Sequence, residues 1–102
     1  MPYAITYARD AELDLRSLRK NEQQRVRALV PSHLAHEPAA PSHARKPLDP
    51  NPYGAGWELR LGNLRVLYAI DDPAQSIRVL RVGWKDGNRL YLRGVPVETR
   101  LP

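Results

Sequence analysis

The stretch WELRLGNLRVLYAI, at residues 57–70, decides the fold. Its apolar side chains at positions 57, 59 and 61 alternate with Glu58 and Arg60, and this period of two places successive side chains on opposite faces of a β-strand. The Gly-Asn pair at 62–63 is typical of a tight hairpin turn. Apolar residues at 64, 66, 68 and 70 continue the alternation. The stretch therefore predicts a β-hairpin, with Arg65 on the face opposite the apolar residues of its second strand.

Two segments extend this hairpin toward the end of the chain. After a turn at residues 71–73, residues 77–85 have apolar side chains on both faces, which is typical of a strand in the centre of a sheet. Asp86-Gly87-Asn88 indicates another turn. Residues 89–97 alternate weakly and predict either a last strand or an irregular tail.

The residues before the hairpin predict one strand and two helices. Residues 3–8 are rich in strand-forming side chains. Asp10 is predicted to cap a short helix that runs to about Lys20, and Asn21 either ends that helix or caps the next one. Apolar residues at 26, 29, 30 and 34 form the stripe of a second helix. Pro31 lies inside this stripe and predicts a kink, or a helix that ends near Val30.

Residues 37–56 have a different composition, with five prolines between positions 38 and 52 and glycines at 54 and 56. This composition predicts a long extended connection that is neither a helix nor a central strand. The whole chain is then one domain, residues 1–102, of the α+β class in the order β-α-α-β-β-β. We expect an antiparallel sheet with the two helices packed on one face, and Glu58, Arg60, Arg65 and Lys85 displayed on the other.

Composition limits the function. The 102 residues contain no cysteine, which excludes disulfides and thiolate chemistry, and they carry a formal net charge of +5. Between residues 45 and 100 there are ten basic and six acidic residues. A basic field attracts nucleic acid, although an arginine-rich surface on a protein with no polyanionic partner gives the same composition. We expect no transmembrane helix, no signal peptide and a cytoplasmic location.

Four segments, in this order and spacing, resemble the RelE/ParE toxin superfamily: RKPL at 45–48, WELR at 57–60, RVLY at 65–68 and VGWK at 82–85. The strand YAIT at 3–6 and the helix with apolar residues at 11, 15 and 18 are similar too. The resemblance implies a RelE-like fold, similar to the small microbial ribonucleases, and a cognate antitoxin that silences the toxin. It implies one of two targets: messenger RNA cut in the ribosomal decoding site, or DNA gyrase inhibited without cleavage.

For a translation-inhibiting mRNA interferase, which is a metal-independent endoribonuclease and hydrolase, the resemblance implies four catalytic residues: Arg60, Arg65, Lys85 and Tyr91. Two features depart from the pattern. Glu58 stands where well-known nucleases have lysine, and Lys85 replaces arginine. The segment around Tyr91 also predicts a strand instead of the usual helical tail.

These residue types suit RNA cleavage. The 2′-hydroxyl attacks the neighbouring phosphate, and a guanidinium from Arg60 or Arg65 stabilises the growing negative charge. Lys85 or Tyr91 is expected to assist the leaving oxygen, and Glu58 to accept the hydroxyl proton, unless it only forms a salt bridge with Arg60. Further RNA contacts are expected from four basic residues: Arg45, Lys46, Arg81 and Arg89. Trp57, Tyr68 and Trp84 fit the core better than base stacking.

We expect no metal and no cofactor. His33 and His36 have helical metal-ligand spacing, but Pro31 and the missing third ligand argue against a site. Three functions stay open: a ribosome-dependent endoribonuclease, which we favour, a gyrase inhibitor without a nuclease centre, and a degenerate toxin that mainly joins its antitoxin on operator DNA.

Overall fold

The computed structural model describes residues 2–49 and 52–97. Its elements follow in chain order: β1 (Ala4–Tyr7), α1 (Arg9–Arg16), α2 (Lys20–Leu34), β2 (Arg45–Pro47), a 3₁₀ turn (Pro52–Gly54), β3 (Trp57–Leu61), β4 (Leu64–Asp71), β5 (Ser76–Asp86), β6 (Arg89–Leu92) and β7 (Val95–Pro96). The predicted α+β class is confirmed. The predicted order is confirmed too, and the chain adds a strand before the hairpin and two after β5.

All the described strands belong to one sheet. Neighbours in the order β2-β3-β4-β5-β6-β7 are antiparallel, whereas β1 lies beside β5 in parallel. β1 pairs with residues 76–79 of β5 and β6 pairs with residues 84–86, so residues 80–83 lie between them on the same edge. The predicted antiparallel sheet is confirmed for β2 to β7, and β1 adds one parallel pairing that the sequence does not predict. This pairing joins residues 4–7 to residues 76–79, far apart in the chain, and local alternation carries no sign of it.

The main core lies between the two helices and one face of the sheet. Leu15, Val26 and Val30 of the helices are fully buried, and they share one cluster with the alternating side chains of the hairpin, including Leu59 and Val66. Each buried leucine or valine contributes about 1.5–3 kcal/mol. The opposite face of the sheet carries a second, smaller cluster that includes Leu67 and Leu90.

The helix ends differ from the sequence prediction. α1 begins after Ala8, which makes no side-chain cap, and Asp10 lies inside its first turn, so the prediction of an Asp10 cap is wrong. α2 continues through Pro31 to Leu34, so an end near Val30 is wrong as well. A proline costs one hydrogen bond in a helix interior, and the turn after Pro31 still closes because the Ala35 N–H donates to the Pro31 carbonyl at 3.0 Å.

The proline-rich connection and the tail each contribute strand. β2 pairs with β3 at the end of the sheet, and such an edge tolerates Pro47 because its missing N–H faces away from the ladder. Residues 89–97 form the hairpin β6–β7 rather than an irregular tail. Its turn residues Arg93 and Gly94 both have positive φ, 52° and 77°, which the favoured two-residue hairpin turn requires. Within the described ranges, no helix is long and apolar enough to cross a membrane.

Candidate functional site

Four of the predicted basic residues lie on the sheet face opposite the helices: Lys46, Arg60, Arg65 and Lys85. We call this group the basic face. The register places Lys46 across from Glu58, and Arg60 across from Arg65. Arg65 also pairs with Gly83, two residues before Lys85 on the same side of β5. Alternation along four neighbouring strands, β2 to β5, therefore brings together cations that are far apart in the chain.

Glu58 lies at the centre of the basic face and is 0% exposed. Its Oε1 accepts a hydrogen bond from the Arg60 Nε at 2.7 Å, and its Oε2 lies 4.0 Å from the Arg65 Nε. That second pair is too long for a hydrogen bond, and both of its atoms are buried without a hydrogen-bond partner. One buried carboxylate thus serves as counter-ion to two guanidinium groups.

Arg65 is held in place before any ligand arrives. Its side chain is only 12% exposed, and its Nη1 donates to the carbonyls of Gly62 and Leu64 at 2.7 and 2.9 Å. Burial lowers the pKa of Arg65, and the nearby Glu58 carboxylate opposes this effect. A cation fixed in a partly desolvated position stabilises developing negative charge without first having to reorganise.

The structure separates Tyr91 from the basic face. Tyr91 pairs with Trp84 across β5 and β6, and the two rings stack with centroids 5.5 Å apart and planes 4° apart. Trp84 packs against the core under the helices, so Tyr91 lies on the helix side. Tyr91 is therefore not beside Arg60 and Arg65, contrary to what the resemblance implies. Side chains alternate between the two faces along residues 89–92, and the pairing of Tyr91 with Trp84 places Tyr91 on the helix side.

Two predicted RNA contacts have structural partners instead. Arg45 points to the helix side of β2, and its guanidinium donates to the carbonyls of Ala40 and His33 at 2.7 and 2.9 Å. Arg81 donates twice to Asp14, at 2.7 and 3.1 Å. Arg89 is exposed beside the turn at 87–88. It lies two residues before Tyr91 on β6, so both side chains are on the helix side and Arg89 also lies apart from the basic face.

Asp14 is the residue that sequence reasoning missed. It is 0% exposed and lies at the edge of β5 between β1 and β6, where its carboxylate accepts hydrogen bonds from Arg81, from Arg93 at 2.8 Å and from the Val82 N–H at 3.0 Å. Burial raises the pKa of Asp14, but these hydrogen bonds outweigh it and leave the pKa below the ordinary value. Its place beside the apolar residues at 11 and 15, on the buried side of α1, is the signal that identifies it.

The aromatic residues of the predicted strands behave as the sequence suggests. Tyr68 is 0% exposed, its ring stacks on Trp57, and its hydroxyl donates to the Pro38 carbonyl at 2.6 Å. Trp57 and Trp84 pack against the same core, which confirms the core assignment. Among residues 2–49 and 52–97, no three histidine, cysteine or acidic side chains are placed to hold a metal ion.

Comparison with solved structures relates this fold to known toxins. The chain is 29% identical to a chain of the toxin–antitoxin complex RelBE2 from Mycobacterium tuberculosis, with a TM-score of 0.71, and the match covers 83% of this chain and all of the other. The archaeal RelE–RelB complex from Pyrococcus horikoshii OT3 matches at 23% identity and a TM-score of 0.63, covering 80% of this chain and 93% of that one. A double mutant of the E. coli toxin RelE in the free state matches at 19% identity and a TM-score of 0.64. The match covers 82% of this chain and 84% of that one.

The fold therefore defines the class, a small α+β domain of the RelE-like type with two helices on one face of its sheet. The model of one family, described as the ParE toxin of type II toxin–antitoxin systems, parDE, matches residues 5–86. This chain belongs to that family and is a toxin of a type II toxin–antitoxin system within the RelE/ParE superfamily. A search of the curated proteins gave no match.

Proposed function

We propose that the chain inhibits translation by cutting messenger RNA on the ribosome, and that the basic face holds the RNA. The observation that carries this proposal is the convergence of Lys46, Arg60, Arg65 and Lys85 on one face, with Arg65 fixed by the backbone of the hairpin turn. Guanidinium groups bind phosphate in two places. The structural likeness to the RelBE2 toxin–antitoxin complex supports an antitoxin as the natural partner. Ribosomes as the target imply action in the cytoplasm.

The positions of Glu58 and Tyr91 limit the catalytic roles that this proposal assigns. Glu58 is buried and already accepts from Arg60, so it has no access to a 2′-hydroxyl and its part is to orient the arginines. Tyr91 lies on the other side of the sheet. We therefore assign stabilisation of the phosphoryl oxygens to Arg60 and Arg65, and protonation of the leaving 5′-oxygen to Lys85. No residue of the basic face is assigned as the general base, and the proton of the 2′-hydroxyl passes to solvent water.

Expression of variants in growing cells tests the proposal. We expect the unmodified toxin to arrest growth and to leave cut transcripts, which primer extension maps to translated regions. Lys85→Ala keeps the Arg65 anchor, so RNA binding is retained and cleavage falls by about 10²–10⁴-fold. Arg16→Ala, on the exposed end of α1, is the matched control and keeps full activity. Growth arrest with intact transcripts would contradict the proposal.

Inhibition of DNA gyrase is the second candidate, and two observations favour it. The matching family model is that of the ParE toxin, and the position of Tyr91 removes one member of the expected nuclease set from the basic face. In that case Arg60→Ala, Arg65→Ala and Lys85→Ala together leave toxicity unchanged, and the antitoxin protects gyrase from the toxin. A chain that is not toxic without its antitoxin matches neither candidate and indicates a role confined to the antitoxin complex on operator DNA.

A further inference from the structure

One arginine of α2 lies beside the basic face without belonging to it. α2 packs against β3 through buried residues such as Val26, and the adjacent Arg25 is exposed. A Cβ built on Gly62, in the turn that follows β3, would lie 3.4 Å from the Arg25 Nη2 and 4.0 Å from its Nη1. The Arg25 guanidinium therefore lies against the backbone of the β3–β4 turn. The proposed function makes no use of it.

The same turn anchors Arg65 of the basic face. The Arg65 Nη1 donates to the Gly62 carbonyl at 2.7 Å, so a guanidinium from the helix and one from the sheet both contact Gly62. Covalent geometry keeps the Cβ position and the carbonyl oxygen of one residue about 3–4 Å apart, which puts the Arg25 Nη2 and the Arg65 Nη1 at most about 10 Å apart. Two cations this close suit neighbouring phosphates of one single strand.

The charge of Arg25 is available to a ligand. Arg27, two residues later on α2, binds Glu12 at 2.7 Å. Glu22, one helical turn before Arg25, accepts from the Arg19 N–H at 3.1 Å instead. Over residues 2–49 and 52–97, the Arg25 guanidinium forms no hydrogen bond and no ion pair. A phosphate that binds its fork of donors therefore displaces no protein partner.

We propose that Arg25 binds a backbone phosphate of single-stranded RNA, next to the phosphate held by Arg65, so that the strand passes around the β3–β4 turn. The inference rests on the proposed function for the identity of the ligand as RNA. Glycine at position 62 leaves the space between the two guanidinium groups free of a side chain. Phosphate contacts carry no base information, so Arg25 fixes the path of the strand and not its sequence.

The salt dependence of RNA binding tests the proposal. A fluorescent six-nucleotide RNA with 2′-O-methyl groups cannot be cut, and fluorescence anisotropy gives its affinity for the toxin at several salt concentrations. Each phosphate contact with a single strand adds about 0.7 to the slope of log affinity against log salt. Arg25→Gln removes the charge and keeps most of the side chain. It should lower this slope by about 0.7 and weaken binding by about three- to tenfold.

α2 supplies the matched control. Arg27→Gln makes the same change two residues further along, where the guanidinium already binds Glu12, and should leave the slope unchanged. Arg25→Lys should keep the slope and lose only part of the affinity, because an ammonium keeps the charge but not the fork. Equal losses in the two glutamine variants would reflect net charge alone and overturn the proposal. An unchanged slope in Arg25→Gln, with a lower free energy of unfolding in urea, would make Arg25 a support of the turn and overturn it too.

The inference and the proposed function fail in different ways. A lower slope in Arg25→Gln, in a toxin that leaves translation running, supports the phosphate contact and refutes the proposed function. Cleavage of messenger RNA together with an unchanged slope in Arg25→Gln refutes the phosphate contact alone. Binding to duplex DNA that depends on Arg25, with none to the RNA, assigns the contact to DNA and overturns the proposal.

Discussion

Asp14 and Glu58 are the two buried carboxylates of the described chain. Glu58 lies beside Arg60 and Arg65, which the sequence suggests for RNA. Asp14 binds Arg81, which the sequence also suggests for RNA, and Arg93, which it does not. A composition of ten basic and six acidic residues after position 44 therefore overstates the charge that is available to a ligand. At the scale of single residues, the sequence identifies the cations, whereas only the register shows which of them are already paired.

Replacement of Asp14 by Asn tests its role as the counter-ion at the open edge of β5. An amide keeps one acceptor but leaves Arg81 and Arg93 without a compensating charge, so we expect the free energy of unfolding to fall by about 3–5 kcal/mol. Urea unfolding at neutral pH measures this change. Glu12→Gln, at an exposed pair with Arg27, is the control and should cost less than about 1 kcal/mol.

Acidification should reproduce the loss in the unmodified protein. Because the folded-state pKa of Asp14 is lowered, its contribution is fully present above the unfolded pKa of about 3.9 and is lost as the pH falls through the lower folded value. Urea unfolding between pH 6 and pH 2 should show a steeper fall for the unmodified protein than for Asp14→Asn. Parallel curves would show that Asp14 is not the titrating group.

Gly83 is required by the close approach of β6. A Cβ at this position would lie 2.1 Å from the Tyr91 carbonyl oxygen and 2.7 Å from a Leu92 methyl carbon. The backbone oxygen cannot move without breaking the pairing of β5 and β6, so Gly83→Ala should cost at least about 1–3 kcal/mol. Thermal unfolding measures the change. Gly56→Ala meets no atom within 4 Å and should leave the melting temperature nearly unchanged; equal effects would contradict the assignment.

At the scale of elements, the meander formed by β3, β4 and β5 is the part that sequence predicts best. Its strands follow from alternation, and its two turns follow from Gly62-Asn63 and from Asp71-Asp72-Pro73, all of which are local signals. β2 and the parallel pairing of β1 with β5 are not local, because they depend on which edge is free once the meander has formed. At Pro31 a strong local signal predicts a helix end that does not occur. The helix continues to Leu34 because Val30 and Leu34, on either side of the proline, are buried in the core.

The neighbours Arg45 and Lys46 on β2 test the division of the sheet into two faces. Arg45 ties the strand to the carbonyls of Ala40 and His33, so Arg45→Ala should lower the free energy of unfolding by about 1–3 kcal/mol. Lys46 lies on the basic face and should contribute little to stability. Lys46→Ala should instead weaken RNA binding and reduce its dependence on salt by about one phosphate contact. Urea unfolding and filter binding at several salt concentrations measure the two effects, and exchanged roles would contradict the register.

At the scale of the whole molecule, the helices cover one face of the sheet, and the other face carries the basic face beside a smaller apolar cluster. The sequence predicts the helices on one face, and it predicts Arg60, Arg65 and Lys85 on the other because alternation fixes their phase. The sequence does not predict on which face Tyr91 lies, because the turn at residues 87–88 interrupts the alternation. Only the pairing of Tyr91 with Trp84 shows that its side chain is on the helix side.

A cell-free translation reaction, run beside a gyrase supercoiling assay with the same purified toxin, tests the central claim most directly. We predict that the toxin stops protein synthesis and cuts the ribosome-bound messenger RNA, that antitoxin prevents both effects, that Lys85→Ala loses cleavage, and that supercoiling continues. Unimpaired translation with intact messenger RNA, together with arrested supercoiling, would contradict the claim and assign the toxin to gyrase.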